Sequence, residues 1–403
     1  MRTIEWKNIY HLSHPKQMGL IAIAHALHEF YSVALPPIIP LIVVDFDISY
    51  TQAGWLVTVF YVVYALFQLP AGIIADKFGK RYVLSFGLIL LAFGVFLASR
   101  ADTYQALLLS QVVAGIGGST YHPAGLSAVS DLEAENTAGR AMGFHGLGGA
   151  IGTALAPAVI GGIILVTDSW RLALSLIAIV GVVYAILFHS RFVEPDSIVE
   201  NGEKKIVTEG REIKTQLKNF PWDPWVVGLV SVNFLLGVEI GAARTFTTSY
   251  VFLRSSEMVS FANTVFFVML VGAGVATIGI GPLADMFDKR NLGALTFLIT
   301  GFLLLLTWVV PPNRVLLLGL FFLIGAMMWT TVPVMNALTS TYAKRDFSGM
   351  LFALTLTGSA LGNSVGPFMF GLILERTDIT VAYPAIAVSS LAGAIAFLVM
   401  KRF

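Results

Sequence analysis

The stretch GIIADKFGKR at residues 72–81 returns as GPLADMFDKR at residues 281–290, which is 209 positions further along a chain of 403 residues. Six other glycines and prolines recur at an offset of 210. They are the pairs Gly115 and Gly325, Pro123 and Pro333, Gly139 and Gly349, Gly152 and Gly362, Pro157 and Pro367, and Gly161 and Gly371. A repeat this long predicts a chain built from two copies of one unit, each of about 200 residues.

Both copies are strongly apolar. The chain is 56% hydrophobic and 12% charged, with a mean hydropathy of +0.80, whereas soluble domains carry about 25% charged residues. Runs of about 18 or more apolar residues, each long enough to cross a bilayer as a helix, occur at 18–44, 52–75, 82–99, 104–129, 140–165, 171–190, 224–250, 260–284, 291–310, 315–339, 349–373 and 382–400. The sequence therefore predicts an all-α membrane protein with twelve transmembrane helices.

Basic residues are unevenly distributed over the loops between these spans. If the N-terminus is cytosolic, 19 lysines and arginines lie in inner loops, 5 lie in outer loops, and Arg244 lies within a span. Because basic loops stay in the cytosol, we expect a multi-pass protein of the plasma or inner membrane with both termini cytosolic. The long polar stretch 193–222 then divides an N-terminal domain, 1–192, from a C-terminal domain, 223–403, as a cytosolic linker.

The sequence lacks the residues and motifs of several kinds of metal site, enzyme and nucleotide-binding protein. It has no cysteine, which excludes disulfides and thiolate metal sites. It also lacks a Gly-x-Ser-x-Gly elbow, a His-Glu-x-x-His pair and a Walker loop. We expect no enzyme activity, no cofactor, no ATP-driven step and no nucleic-acid partner. The expected partners are a small-molecule substrate, protons and the lipid bilayer, and the expected state is a monomer.

The repeated ten-residue motif predicts a cytosolic gate. Gly72 and Gly281 allow two helix backbones to approach closely. The other gate residues are the acidic and basic members of each copy: Asp76, Arg81, Asp285 and Arg290. A carboxylate there can accept charge-assisted hydrogen bonds from a neighbouring helix and latch two helices together. The alternative is a plain basic turn.

A second repeated pattern lies in spans five and eleven. Gly148 and Gly152 precede Pro157, and Gly358 and Gly362 precede Pro367. Four-residue spacing places the small residues on one helix face, which permits close packing, and proline permits a bend. We expect Gly152, Pro157, Gly362 and Pro367 to pack helices together or to seal one side of the protein.

The Gly-x-x-x-Asp-[Arg/Lys]-x-Gly-[Arg/Lys]-[Arg/Lys] loop between spans two and three, with its weaker copy between eight and nine, resembles that of the major facilitator superfamily. The resemblance covers nearly the whole chain. It implies two six-helix bundles related by pseudo-two-fold symmetry around a central cavity, and alternating access. Trp170-Arg171 resembles the Trp-Arg pair that opens span six in many members, and Gly152-x-x-x-Ala156-Pro157 resembles the span-five motif of drug/proton antiporters.

Three short fragments resemble the fosmidomycin-resistance type of exporter within that superfamily. They are His25-x-x-His28-Glu29 in span one, His122-Pro123 in span four, and Arg244-Thr245-Phe246 in span seven. Span four departs from the drug-exporter pattern, because Gln111 stands where that pattern has a membrane-embedded arginine. Proton coupling through such an arginine is therefore not expected.

Polar side chains inside the spans are functional candidates, since charge is costly at bilayer depth. Burial disfavours the charged form of such a group, so a carboxyl or an imidazole can change protonation near neutral pH. We expect proton coupling at Glu29, Glu239, His122 and His145, and substrate contacts at His25, Arg244, Gln111, Asn233 and Asn336. The alternative for each is a structural hydrogen bond between helices.

The residues His25, His28, Glu29, His122 and His145 have side chains that suit zinc, but nothing in the sequence shows that they converge, and no metal-exporter signature accompanies them. From the sequence we expect no metal. The favoured function is alternating-access efflux of a small amphipathic or anionic organic compound in exchange for protons. The alternatives are a proton-coupled importer of a carboxylate or sugar and, from another class, a lipid scramblase or a non-transporting membrane sensor.

Overall fold

The computed structural model describes residues 12, 14–132, 137–194, 224–255, 257–342 and 348–399, and the regular structure in those residues is helical. The helices before residue 195 are α1 (Pro15–Ser32), α2 (Ile39–Asp45), α3 (Tyr50–Phe78), α4 (Lys80–Ser99), α5 (Tyr104–Ser119), α6 (Tyr121–Leu132), α7 (Ala138–Thr167) and α8 (Trp170–Arg191). Those after residue 223 are α9 (Pro224–Ser255), α10 (Val259–Met286), α11 (Lys289–Val309), α12 (Arg314–Tyr342), α13 (Ser348–Arg376), α14 (Ile379–Ala382) and α15 (Ala387–Val399).

The helices group into two compact units. The first contains residues 1–197 and 247–267, and the second contains residues 198–246 and 268–403. The first unit thus includes the C-terminal end of α9 and the beginning of α10. The predicted linker 193–222 lies, from residue 195 onward, outside the described residues.

The helices fit the twelve predicted spans. Ten helical segments of the described residues are long and apolar enough to cross a membrane. The other two predicted spans are also helical, but 104–129 is divided between α5 and α6, and 349–373 lies in α13, which carries several hydroxyl and amide side chains. The predicted all-α fold is therefore confirmed, although some predicted spans are not single continuous helices.

Proline causes a further difference from the predicted boundaries. The span predicted at 18–44 is α1, a short 3₁₀ turn at Pro36–Ile38, and α2. Pro36 and Pro37 lack the amide hydrogens that a continuous helix needs and restrict the residue before them. The chain therefore bends after Ser32 and resumes as α2 at Ile39.

The two copies of the repeated motif begin their following helices differently. Asp288, just before α11, accepts a hydrogen bond from the Asn291 amide at 2.8 Å, as a helix cap does. The first copy has Gly79 here, with a φ of 95° that favours glycine. Glu194, which follows α8, caps α4 instead by accepting from the Arg81 amide at 2.5 Å. The end of the first bundle is thus fastened to its motif loop.

Close approach of helices in the first unit depends on glycine. An added Cβ at Gly94 would lie 2.5 Å from the Ala114 amide nitrogen, so α4 and α5 meet backbone to backbone. The core nearby contains the fully buried aromatic rings of Tyr121 and Phe188. This packing fixes the position of α6, which begins at Tyr121 and carries part of the candidate site.

Candidate functional site

Five ionisable side chains from three helices of the first unit meet in one cluster, here called the imidazole cluster: His25, His28, Glu29, His122 and His145. One carboxylate oxygen, Glu29 Oε1, lies 3.4 Å from His122 Nε2, 3.7 Å from His25 Nε2 and 3.8 Å from His28 Nε2. The His145 ring stacks on the His25 ring with centroids 4.0 Å apart and planes 14° apart. Four imidazoles thus surround one acid.

Local sequence explains how the cluster assembles. His25 and Glu29 are four residues apart on α1, so they share a helix face. The Gly117-Gly118 pair precedes the break at Thr120, which lets α6 begin anew with Tyr121 and His122. On α7, Gly149 leaves room for the His25 ring, because a Cβ there would lie 2.5 Å from His25 Cε1. The cluster therefore depends on one helix break and one missing side chain.

Hydrogen bonds define which ring nitrogens carry protons. His25 Nδ1 lies 2.8 Å from the His145 carbonyl oxygen, which can only accept, so Nδ1–H donates. Neutral His25 then presents an Nε2 lone pair toward Glu29. The Tyr121 hydroxyl donates to the Ile21 carbonyl at 2.7 Å, and its oxygen can accept from His145 Nε2 at 3.3 Å. The second oxygen of Glu29, Oε2, lies 3.4 Å from the Thr153 hydroxyl.

The cluster is buried on one side and accessible on the other. His25, His28 and His145 are less than 9% exposed. The side chains of His122 and Glu29 are 36% and 19% exposed. Glu29 and His122 therefore form the exposed edge of the cluster, and the rings of His25, His28 and His145 form its buried side.

The donor atoms also have the spacing of a metal site. The ligating atoms of His25, Glu29 and His122 all lie within 4.8 Å of one another. Imidazole nitrogens with a carboxylate oxygen form a donor set suited to transition metals. The sequence could not show this convergence, since the donors come from α1 and α6.

Other residues predicted to contact substrate lie elsewhere. Gln111 is buried on α5, donates to the Ser110 hydroxyl at 3.1 Å, and lines a small cavity with Tyr31, away from the cluster. Asn233 is buried on α9 and donates to the Leu229 carbonyl of its own helix. Asn336 on α12 is exposed. Their contacts with substrate stay predictions.

Two ionisable candidates lie on α9 in the second unit. Glu239 is fully buried, and neither carboxylate oxygen makes a hydrogen bond to a described residue. Arg244 is partly buried and interacts with neighbouring residues. Substrate contact at Arg244 and proton coupling at Glu239 stay predictions.

The gate residues occupy the ends of helices. Asp76 is exposed near the end of α3, and Gly72 lies against Pro123, 3.4 Å from an added Cβ. The Arg81 side chain has a buried Nε without a hydrogen-bond partner among the described residues. Lys80, also in the motif, forms an ion pair with Asp131.

The second copy of the gate is only partly described. Arg290 Nε donates to the Phe397 carbonyl at 2.6 Å, and its Nη2 donates to the Leu398 carbonyl, so this arginine binds the last turn of α15. The side chains of Gly281 and Asp285 lie outside the described part of the chain. A latch at either copy stays a prediction.

The small residues of spans five and eleven lie at helix contacts. An added Cβ at Gly152 would overlap the Ala26 carbonyl of α1, and one at Gly362 would overlap the Phe234 carbonyl of α9. Pro157 and Pro367 lie inside α7 and α13. The corresponding helices of the two copies thus pack in corresponding ways.

Sequence reasoning missed three neighbours of the cluster: Tyr64, Tyr121 and Thr153. Tyr121 stacks on His28 with ring centroids 4.9 Å apart, and Tyr64 lies 5.9 Å from the same ring. Tyr121 could have been suspected, because it precedes His122 just after a glycine-rich stretch. Thr153 and Tyr64 carry no signal beyond being polar residues in apolar spans.

Comparison with known proteins agrees with this architecture. The sequence profile described as Major Facilitator Superfamily matches residues 21–258 and 254–402. An uncharacterized MFS-type transporter, YfnC of Bacillus subtilis, is 25% identical over 94% of this chain and 91% of its own. The fosmidomycin resistance protein of Escherichia coli is 22% identical over 93% of this chain and 90% of its own.

A solved structure gives the same fold. The inward-open xylose transporter XylE of E. coli superposes with a TM-score of 0.73, at 16% identity, over 95% of both chains. Because the profile covers nearly the whole sequence, the predicted family is confirmed, and with it the expectation of a transporter rather than an enzyme. The chain belongs to the Major Facilitator Superfamily, as a multi-pass integral membrane transporter that works by alternating access.

Proposed function

We propose that this transporter exports a small amphipathic or anionic organic compound in exchange for protons, and that Glu29 carries the coupling proton. The observation that carries the proposal is the single oxygen, Glu29 Oε1, faced by three imidazole nitrogens within 3.8 Å. Resemblance to the fosmidomycin resistance protein supports export as the direction.

The geometry makes the cluster sensitive to the loss or gain of one positive charge. With its Nδ1 donating to a carbonyl, neutral His25 directs a lone pair at the carboxylate, and two filled orbitals repel each other. A single proton, on Nε2 or on Glu29, turns that repulsion into a hydrogen bond. Removing the proton leaves a partly buried carboxylate without a donor from His25, which is costly away from water.

Exchange follows if substrate and proton use the cluster alternately. An amphipathic compound that binds at the exposed edge, formed by Glu29 and His122, and donates a hydrogen bond to deprotonated Glu29 competes with the proton for the same carboxylate, so that binding of one releases the other. One conformation then favours the compound and the other favours the proton, so alternating access moves the two in opposite directions across the membrane. We therefore expect the compound and the proton to compete at this exposed edge.

The test uses Glu29→Gln, which keeps the shape of the side chain and removes its titration. Fosmidomycin is the first probe, with small carboxylates and sugars tested in parallel to detect an importer. In cells, wild-type protein should lower the internal probe concentration and Glu29→Gln should not. In proteoliposomes, Glu29→Gln should still exchange labelled for unlabelled probe, because exchange needs no net proton movement.

The matched control is Glu375→Gln, which changes an exposed glutamate at the end of α13. It should export like the wild type. If Glu29→Gln protein still lowers the internal probe under an imposed pH gradient, Glu29 is not the coupling residue. If the wild type concentrates a carboxylate or sugar inward, the direction proposed here is wrong.

A further inference from the structure

Three donor atoms of the imidazole cluster, from His25, Glu29 and His122, have the spacing of a metal-binding site, within 4.8 Å of one another. The Nε2 atoms of His122 and His25 lie 3.4 and 3.7 Å from Glu29 Oε1. In a tetrahedral zinc site, with bonds of about 2.0–2.1 Å, the ligand atoms are roughly 3.3 Å apart. Rotation of these side chains would therefore place the three donors around one ion.

The cluster also has the supporting hydrogen bond that such sites contain. A histidine that ligates a metal usually donates its other N–H to a backbone carbonyl or a carboxylate, which fixes the ring and its tautomer. His25 Nδ1 does this at 2.8 Å from the His145 carbonyl oxygen. The free lone pair of His25 is then on Nε2, the nitrogen that faces Glu29.

The donor types define which ion would bind. Magnesium and calcium prefer oxygen ligands, and these three donors are two nitrogens and one carboxylate oxygen. Imidazole and carboxylate together suit zinc, cobalt and nickel, and the chain has no thiolate that could compete for them. The partly exposed side chains of His122 and Glu29 provide a route of entry.

We propose that His25, Glu29 and His122 bind a divalent transition-metal ion such as Zn²⁺, as a site of three protein ligands with an open fourth position. This differs from the expectation of no metal drawn from the sequence, because the sequence does not show that α1 and α6 bring these donors together. Binding of the ion does not depend on the transport proposal. One consequence does rest on it: an ion that occupies Glu29 Oε1 would exclude the coupling proton and stop export.

Cobalt is the probe, since Co²⁺ in a tetrahedral nitrogen and oxygen site absorbs visible light strongly and Zn²⁺ does not. The full chain is purified without a polyhistidine tag and titrated with Co²⁺. We expect one ion per chain, visible bands of tetrahedral cobalt, and loss of those bands when Zn²⁺ is added. His122→Ala and Glu29→Gln should each weaken binding at least about tenfold.

The matched control is His189→Ala on α8, whose ring lies 3.3 Å from the Ser85 hydroxyl and belongs to no part of the cluster. It should bind cobalt like the wild type. His122 is partly exposed, so its replacement by alanine should leave the protein folded, and unfolding temperature checks this. Absence of the bands in the wild type, or equal affinity in His122→Ala and wild type, would overturn the metal site.

The effect of Zn²⁺ on export is measured in a separate experiment. Zn²⁺ should inhibit proton-driven export by the wild type, and inhibition should be weaker in His122→Ala, which removes one of the three donors. Because cobalt titration needs no substrate and no pH gradient, it gives a result whether or not Glu29 couples transport. Tetrahedral cobalt without inhibition of export by zinc would keep the metal site and reject its proposed effect on the coupling proton.

Discussion

Glu29 clusters with four imidazoles, and the residues next to it in the sequence show only two of them. His25 and His28 are visible beside it on one helix, but His122 and His145 are about 100 residues away in sequence. Only the packing of α1 with α6 and α7 joins them. The sequence could therefore nominate each residue as an intramembrane ionisable group, while the shared oxygen and its distances had to come from the structure.

Gly149 gives the first test of how tightly His25 is held. An alanine there would place its Cβ 2.5 to 2.9 Å from three atoms of the His25 ring. The ring must then move, which lengthens its contact with Glu29 or breaks its hydrogen bond to the His145 carbonyl. We expect Gly149→Ala to reduce export and to weaken cobalt binding at least about tenfold, as supporting-shell changes do.

The control for that change lies on the same helix. Gly146 has no atom within 4 Å of an added Cβ. Gly146→Ala should keep export and cobalt binding, and should raise stability by about 0.5–1 kcal/mol, since glycine weakens a helix interior. Equal loss of export in both variants would show that α7 tolerates no alanine, rather than that His25 needs its space.

Span four shows where helix prediction from apolar runs fails. Residues 104–129 form one continuous apolar run, and the structure divides them into α5 and α6 at Thr120. The Thr120 hydroxyl donates to the Gly117 carbonyl at 2.9 Å, which helps to satisfy the backbone exposed by the break. Thr120 keeps helical dihedral angles, with φ −74° and ψ −28°, so the division is a local change in hydrogen bonding. Gly117 and Gly118 precede this division and are a sequence signal for it, but whether such glycines interrupt a helix depends on how the neighbouring helices pack.

The contact between α7 and α1 makes a prediction about stability. An added Cβ at Gly152 would overlap the Ala26 carbonyl, and a backbone oxygen cannot turn away as a flexible side chain can. We expect Gly152→Ala to destabilise the protein by about 1–3 kcal/mol, as overpacking does. Thermal unfolding of purified protein measures this, and a lower yield of folded protein should accompany it.

Gly162, later on the same helix, is the comparison, because nothing lies within 4 Å of an added Cβ there. Gly162→Ala should unfold at or above the wild-type temperature. If Gly152→Ala also unfolds at the wild-type temperature, α7 and α1 do not meet backbone to backbone at this position. The small residues of α7 would then not serve close packing against α1.

The duplication predicted the architecture well but not the chemistry. Glycines and prolines recur between the copies because both bundles pack helices in the same way, as Gly152 and Gly362 show. The ionisable groups inside the spans differ between the copies: the first unit has the imidazole cluster, and the second has the buried acid Glu239. Backbone packing constrains both copies, whereas one functional cluster is sufficient for one transport pathway.

Orientation in the membrane is the property of the whole chain that packing leaves open. The excess of basic residues in one set of loops predicts that residues 193–222 face the cytosol. A chain without cysteine allows single cysteines to be introduced without background labelling. In intact cells, an impermeant maleimide should label Asn313→Cys, in an exposed loop predicted to face outward, and should not label Glu203→Cys.

After the cells are permeabilised, Glu203→Cys should react with the maleimide. That result would show that the membrane, and not the folded protein, shields the residue in intact cells. If Glu203→Cys reacts from outside intact cells, the chain is inserted the other way or spans the membrane an odd number of times between residue 203 and a cytosolic terminus. The motif loops at residues 76–81 and 285–290 would then face outward and could not form a cytosolic gate, whereas exchange would keep its direction, because the proton gradient sets it.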